Sequence, residues 1–302
     1  MIEISRGKKR GAWRANWPAR RILAIATATI GAALVLYPTA ASWSSDRIHA
    51  TEVSGYTSAV DAMPENRKSE IMEAARLYNE DLPKGPLRDP YALGPDGKST
   101  EVGAGPDAYD KALNANGLGM MGRLQIPAID VDLPVYHGTS ASTLAKGIGH
   151  LYGSALPIGG EGTHAVLTGH SGLASATLLT NLEQLQEGDE FTVTVLDEVL
   201  TYKVDQILTV TPDDTEDLRP VDGRDFVTLI TCTPTGVNTH RLLVRGERVP
   251  TDEQRDTHQM DAQSADPGFP WWAVTFAGVH AGSIVLTRPR RPGTRLTAPK
   301  HQ

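Results

Sequence analysis

The sequence predicts a mostly-β domain closed, or nearly closed, into a barrel, with a helical and loop-rich segment before it and a transmembrane helix on either side. Three observations carry this. From residue 121 onward, seven short stretches rich in Val, Ile, Leu and Thr are separated by turn residues. Ahead of them, residues 44–118 combine one helical periodicity with a Gly- and Pro-dense tract. Outside both lie two apolar runs, each flanked by arginines or lysines. The 302 residues, 40% of them hydrophobic, suffice for one or two domains with a real core.

The ends come first. Residues 1–21 form a basic N-terminus in which a single acid, Glu3, faces the lysines and arginines. The run ILAIATATIGAALVLYPTAASW, residues 22–43, carries no charge and is long enough to cross a hydrocarbon core of about 30 Å. Its Ala-rich end also fits a signal peptide, but the run exceeds the roughly 7–15 residues of a signal h-region, so it reads as an uncleaved anchor. The second run, FPWWAVTFAGVHAGSIVLT at residues 269–287, is diluted by Gly, Ser and His280. Trp271 and Trp272 stand at one end as an aromatic belt would, and the basic tail 288–302 follows the other. Positive flanks outside both runs place both termini in the cytoplasm and residues 44–268 on the outer side of the cell membrane. A net charge of −7 with two basic ends leaves an acidic middle, which argues against a nucleic-acid-binding face.

In the segment 44–118, SAVDAMPENRKSEIMEAARLYNEDL places Ile71, Ala74, Ala75 and Leu77 at helical spacing and reads as an amphipathic helix. KGPLRDPYALGPDGKSTEVGAGPDAYD is too broken for long elements and reads as a linker or a loop laid over something. The barrel domain, 119–250, holds RLQIPAI, VDLPVYHG, THAVLTGH, EFTVTVLD, TYKVDQILTV, DFVTLITC and HRLLVRGERV. FTVTV and LTYKV alternate and join at LDEV as a hairpin. SATLLTNLEQLQEGD reads as one short helix ended by Gly188. Residues 251–268 are a linker. There is no internal repeat.

Cys232 is the single cysteine, so it cannot form an internal disulfide although the domain is placed outside the cell. It ends the run FVTLITC; His170 ends HAVLTGH; Arg241 opens HRLLVRG. A thiol, an imidazole to move protons and a guanidinium fork for a carbonyl oxygen can together perform acyl transfer. Position alone leaves other readings open. Cys232 could be a buried small hydrophobe, His170 a turn residue like His164 or His240, and Arg241 a solvated strand residue like Arg245. A Cys–His pair also fits papain-like hydrolases, but their CGSCW-type surroundings are absent.

TLITC with an arginine nine residues on, and TGH earlier, resembles the sortase signature TLxTC with its His and Arg, over roughly residues 118–250. HAVLTGHSGL, TLITCTPTGVNTHRLLVRG and LTYKVDQI are similar to the pilin-polymerising class C sortases in particular, and the second apolar run and the triplet Asp89-Pro90-Tyr91 agree with that class. The resemblance implies a sortase-type barrel and a cysteine transpeptidase. Cys232 would be the nucleophile, His170 the acid and base, and Arg241 the oxyanion donor. It implies a lid at about residues 86–94, in which Asp89, Pro90 and Tyr91 cover the site, with Tyr where Trp or Phe is usual. Gly85, Gly94 and Gly97 would give the lid permissive backbone. The implied substrate is a pilin with an LPxTG-like sorting signal, the acceptor a lysine amine of another pilin, and the product an isopeptide-linked polymer. No step needs a cofactor or metal, and His164 and His240 are read as structural. Two alternatives stand: a housekeeping sortase that serves a cell-wall precursor, and a membrane-anchored surface binding protein without enzymatic activity.

Overall fold

The structure, a computed structural model, describes residues 19–82, 87–91, 107–115, 117, 119–251 and 267–288. The chain divides into two compact units: residues 41–268 form one, and residues 1–40 with 269–302 form the other. In the latter, the start of helix α1 (Ala19–Asp61) is apolar and unburied, and by length and composition α1 can cross a membrane. Helix α5 (Trp271–Leu286) is apolar but only 16 residues long. Thr29 Oγ1 and His280 Nδ1 share a hydrogen bond of 2.9 Å.

The larger unit is built on a closed barrel. Its strands are β1 (Met120–Ile126), β2 (Val131–His137), β3 (Ile148–His150), β4 (Thr163–Thr168), β5 (Glu190–Val195), β6 (Glu198–Val210), β7 (Asp225–Thr233) and β8 (His240–Val249). They run β1-β2-β3-β4-β7-β8-β6-β5 around the barrel, and β5 closes onto β1. Only β2–β3 and β4–β7 are parallel. Closure leaves no unpaired sheet edge. All seven stretches read as strands are strands, and the β5–β6 hairpin turns at Leu196 and Asp197. The eighth strand, β3, is three residues long, too short to show an alternation in the sequence.

Two expected helices change. The amphipathic stretch across residues 58–82 is broken, because α1 ends at Asp61 and α2 (Glu65–Glu80) begins after Pro64. Proline lacks an N–H and disfavours helical backbone at the residue before it. α2 buries Met72 and Ala75 and partly buries Ile71 and Tyr78, while Ala74 and Leu77 face outward. The helix expected in SATLLTNLEQLQEGD shrinks to a 3-10 turn, Leu182–Gln184. Leu178 adopts φ +41°, and the N–H of Leu179 donates to the His170 carbonyl instead of to a helical partner.

α1 packs onto the barrel through His49, Val53, Tyr56 and Val60, spaced three or four apart. Tyr56 is the pin of that contact. Its hydroxyl donates to the Met121 carbonyl at 3.3 Å and accepts from the Leu196 N–H at 2.8 Å. Tyr136 of β2 hydrogen-bonds Glu52 of α1 nearby. Helix α3 (Asp107–Lys111) adds Tyr109, whose buried hydroxyl meets His150 Nδ1 at 2.8 Å and the Gly138 N–H at 3.0 Å, and the four-residue helix α4 (Ala141–Leu144) precedes β3.

Side chains of a strand alternate between its faces, and here both faces are apolar. Leu167, Leu229 and Val244 point into the main core. Their neighbours Val166, Ile230 and Leu243 point outward and form a second cluster with Leu151 and Leu218, against which Leu87, Tyr91, Leu208 and Val210 pack. Replacing Tyr56 by Phe strands the Leu196 N–H and the Met121 carbonyl inside the protein. The expected loss is about 1–3 kcal/mol, read as a lower denaturant midpoint with an unchanged slope.

Candidate active site

The same alternation aims the reactive groups. His170 lies two residues past Thr168 of β4, Cys232 two past Ile230 of β7, and Arg241 two before Leu243 of β8. Each therefore shares the outward parity of the second cluster. Cys232 and Arg241 are paired directly in the β7–β8 ladder. β4 and β7 run parallel with Thr168 beside Ile230, so two further steps bring His170 abreast of Cys232. The structure thus gathers at one rim the three residues singled out from sequence.

That rim is braced through Gly169. Its N–H donates to the Ile230 carbonyl at 3.1 Å, and its own carbonyl accepts the Thr231 hydroxyl at 2.8 Å. A Cβ on Gly169 would lie within 3.0 Å of both Ile148 and Leu179, so only glycine allows so close an approach. Ser171 Oγ and Thr235 Oγ1, 2.9 Å apart, join the loops leaving His170 and Cys232. Thr168, Gly169 and Thr231 were not singled out in the sequence, although all three lie inside the TGH and TLITC strings.

Asp89, Pro90 and Tyr91 lie over this rim. The Arg241 guanidinium donates from Nε to Asp89 Oδ1 at 2.8 Å and from Nη2 to Oδ2 at 2.7 Å, a two-pronged pair with both side chains buried. Its Nη1 donates to the carbonyls of Asn238 and His240. The Tyr91 ring lies 5.0 Å from the guanidinium carbon and 5.7 Å from the His170 ring. The Tyr91 hydroxyl donates to the Gly169 carbonyl at 2.6 Å and accepts from Thr168 Oγ1 at 2.7 Å. A phenyl or indole ring at this position would lack that pair of bonds. Pro90 is buried beside them. Gly85, Gly94, Gly97 and the outer parts of the expected lid lie outside the described residues.

Burial sets the protonation of the site. It pushes the Cys232 thiol above its ordinary pKa, against the pull of Arg241 and with a further push from Asp89. Burial holds His170 below its ordinary value. In the covered site the neutral thiol and neutral imidazole are therefore favoured over the thiolate–imidazolium pair. The other two histidines are occupied elsewhere. His164 Nε2 meets Thr228 Oγ1 at 2.7 Å and Nδ1 meets the Arg219 carbonyl at 3.1 Å, and burial lowers its pKa to about 4. His240 Nδ1 contacts Thr239 Oγ1 at 3.0 Å.

A closed eight-stranded barrel with cysteine, histidine and arginine on three adjacent strand ends defines a sortase-type domain. The family model described as Sortase domain matches residues 124–249. Sortase C-1 of Actinomyces oris is 46% identical over 62% of this chain and 100% of that one, with a TM-score of 0.57. Sortase C-1 of Streptococcus pneumoniae is 40% identical over 67% of this chain and 100% of that one, with a TM-score of 0.60. The chain belongs to the sortase family, in its class C branch. Among curated relatives, Sortase A of Streptococcus agalactiae is 30% identical over 46% of this chain, which spans 57% of that relative's length. Sortase D of Bacillus subtilis is 31% identical over 42% of this chain and 63% of its own length.

The electrostatics give a signed expectation. Burial and Asp89 both raise the Cys232 pKa, and Asp89→Ala with Tyr91→Ala removes both influences while leaving Arg241 to lower it. The pH midpoint for alkylation of Cys232 by iodoacetamide should move to lower pH in the double variant, and the rate at neutral pH should rise. An unmoved midpoint would show that the triplet does not cover the thiol in solution.

Proposed function

We propose that the chain is a membrane-anchored cysteine transpeptidase that cleaves an LPxTG-like sorting signal of pilin subunits and joins the acyl group to a lysine amine of another pilin. The observation that carries this reading is the Asp89–Arg241 pair with Tyr91 against His170. A covered rim of this kind favours the polymerising reading over the housekeeping one. A structural neighbour described as the pilus-related sortase C of Group B Streptococcus is 40% identical over 96% of its own chain.

In the proposed reaction the lid swings off and Arg241 exchanges the Asp89 oxygens for the carbonyl oxygen of the scissile bond. Once uncovered, the Cys232 thiol passes its proton to His170, and the resulting thiolate attacks the carbonyl carbon of the substrate threonine, whose C=O electron pair moves onto the oxygen. The C–N bond breaks as His170 delivers its proton to the leaving glycine amine. The thioacyl enzyme is then attacked by the lysine amine. His170 takes up the proton released, and Cys232 leaves as thiolate. Arg241 stabilises the oxyanion in both steps.

The wider organisation proposed is a cytoplasmic basic N-terminus (1–21), a membrane anchor (22–43), the helical extension with the lid (44–118), the catalytic barrel (119–250), a linker (251–268), a second membrane helix (269–287) and a cytoplasmic tail (288–302). The barrel lies on the outer side of the membrane. The apolar start of α1 and the apolar α5 support anchoring in a membrane, and the basic residues outside both runs support the outward placement.

Incubating the full chain in detergent with candidate pilins should give ladders that resist sodium dodecyl sulfate. Cys232→Ala should abolish them while the protein keeps its fold by circular dichroism; ladders from a verified Cys232→Ala protein would refute the mechanism. Arg241→Lys keeps the charge but loses the two-pronged fork. Cleavage of a sorting-signal peptide should fall by about 10²–10³, the usual cost of one oxyanion donor, and near-normal turnover would assign Arg241 a structural role.

A further inference from the structure

The Tyr91 hydroxyl is held by two neighbouring residues of one strand end. It donates to the Gly169 carbonyl at 2.6 Å and accepts from Thr168 Oγ1 at 2.7 Å, with the Ile230 carbonyl 3.5 Å away. Thr168 is wholly buried, at 0% exposure. Among the described residues Tyr91 is the one hydrogen-bond partner of its hydroxyl. The Gly169 carbonyl also takes the Thr231 hydroxyl at 2.8 Å, so Tyr91 fills the second of its two acceptor positions. In the proposed reaction Tyr91 leaves before the sorting signal is cut. Thr168 then loses the acceptor for its hydroxyl, and Gly169 loses one donor.

Whatever takes the place of Tyr91 has to satisfy both groups, because an unpaired buried donor or acceptor costs about 1–3 kcal/mol. The position calls for one group that donates to a carbonyl and accepts from a hydroxyl. A carboxylate cannot donate, and an ammonium or an amide N–H cannot accept. A neutral amine can do both, but only by turning its lone pair to Thr168 and away from the thioacyl carbon. A hydroxyl meets both demands without conflict. The distances suit the donor peptide. Thr168 stands beside Ile230 in the parallel β4–β7 ladder, and Cys232 lies two residues further along β7. Two residues of strand and one step between strands span roughly 8 Å. The carbonyl under attack stands ~3–3.5 Å from the thiol and a hydrogen bond adds ~2.8 Å. The side chain of the residue that carries this carbonyl closes the gap.

We infer that the Thr168 hydroxyl and the Gly169 carbonyl form a hydroxyl-reading subsite for the threonine side chain of the sorting signal, and that the Tyr91 hydroxyl fills this subsite while the lid is down. The inference rests on the transpeptidase reading above and adds to it the side chain that selects threonine. Thr168 is then a specificity-determining residue. The ring of Tyr91 covers the rim, and its hydroxyl stands where the hydroxyl of the substrate will stand.

The test uses the full chain in detergent micelles carrying Asp89→Ala and Tyr91→Ala, so that a change at Thr168 is not mixed with release of the lid. Two LPxTG-like peptides differ only at the residue before the scissile bond, threonine in one and valine in the other. The threonine peptide should be cleaved about 10- to 100-fold better in kcat/KM, the range that one unpaired hydrogen-bonding group accounts for. Thr168→Val, which keeps the branched shape that suits a strand, should bring the two peptides within about three-fold by slowing the threonine peptide. Thr168→Ser keeps the hydroxyl and should retain most of the preference. A parent enzyme without preference, an equal fall for both peptides, or a ratio untouched by Thr168→Val would each overturn the proposal; the last would leave water in the subsite. Binding is read without chemistry as protection of Cys232 against iodoacetamide. The threonine peptide should protect at about ten-fold lower concentration than the valine peptide, and Thr168→Val should abolish the difference. Equal protection by the two peptides would overturn the proposal. Should the difference hold while no sorting peptide is cleaved, the transpeptidase reading falls and the subsite stands.

Discussion

In β4, β7 and β8 every second side chain must leave the barrel, because the inner positions are filled by Leu167, Leu229 and Val244. The outward set is apolar for most of its length and ends, at one rim, in His170, Cys232 and Arg241. An apolar outer face needs a cover, and a reactive group at its edge shares that cover. The segment holding Leu87 and Tyr91 meets both needs, since those residues pack on the outer cluster while Asp89 reaches Arg241. Period-two geometry thus links barrel closure, the position of the thiol and the need for a lid.

The lid contact is electrostatic as well as apolar. Arg241 and Asp89 lose water together, so neither is stable in place without the other: removing one partner of a buried pair costs about 3–5 kcal/mol because a bare charge is left behind. Water can relieve that cost only by reaching Arg241, which requires the cover to move. The same burial that strengthens the pair raises the thiol and lowers the imidazole. Closure and chemical silence therefore have one physical origin.

Much of this was legible in the sequence where the signal is local. The seven longer strands declared themselves by Val, Ile, Leu and Thr runs between turn residues. The three rim residues stood out at strand ends around a lone cysteine, but their roles were read only through the sortase resemblance. Asp89, Pro90 and Tyr91 were found through resemblance, since nothing in a Gly- and Pro-rich tract reports what it lies against. The failures are also physical. β3 is too short to alternate, Pro64 cuts a continuous helical pattern, and the helix read in residues 175–189 was overridden by the hydrogen bond that ties Leu179 to His170. Thr168 and Thr231 act through residues far away in the chain.

Asp89 and Arg241 belong to one polypeptide, so the carboxylate on the guanidinium is a tethered competitor. Tethering fixes its effective concentration, on the order of millimolar for a short flexible connection, and dilution does not lower it. A free peptide in bulk solution competes poorly against such a partner. A substrate crowded in the same membrane plane, or held by a second contact beside the rim, does not face that disadvantage. Under the proposed function, the occupied guanidinium would act as a threshold on local density, passing substrates that are gathered and rejecting those that only collide.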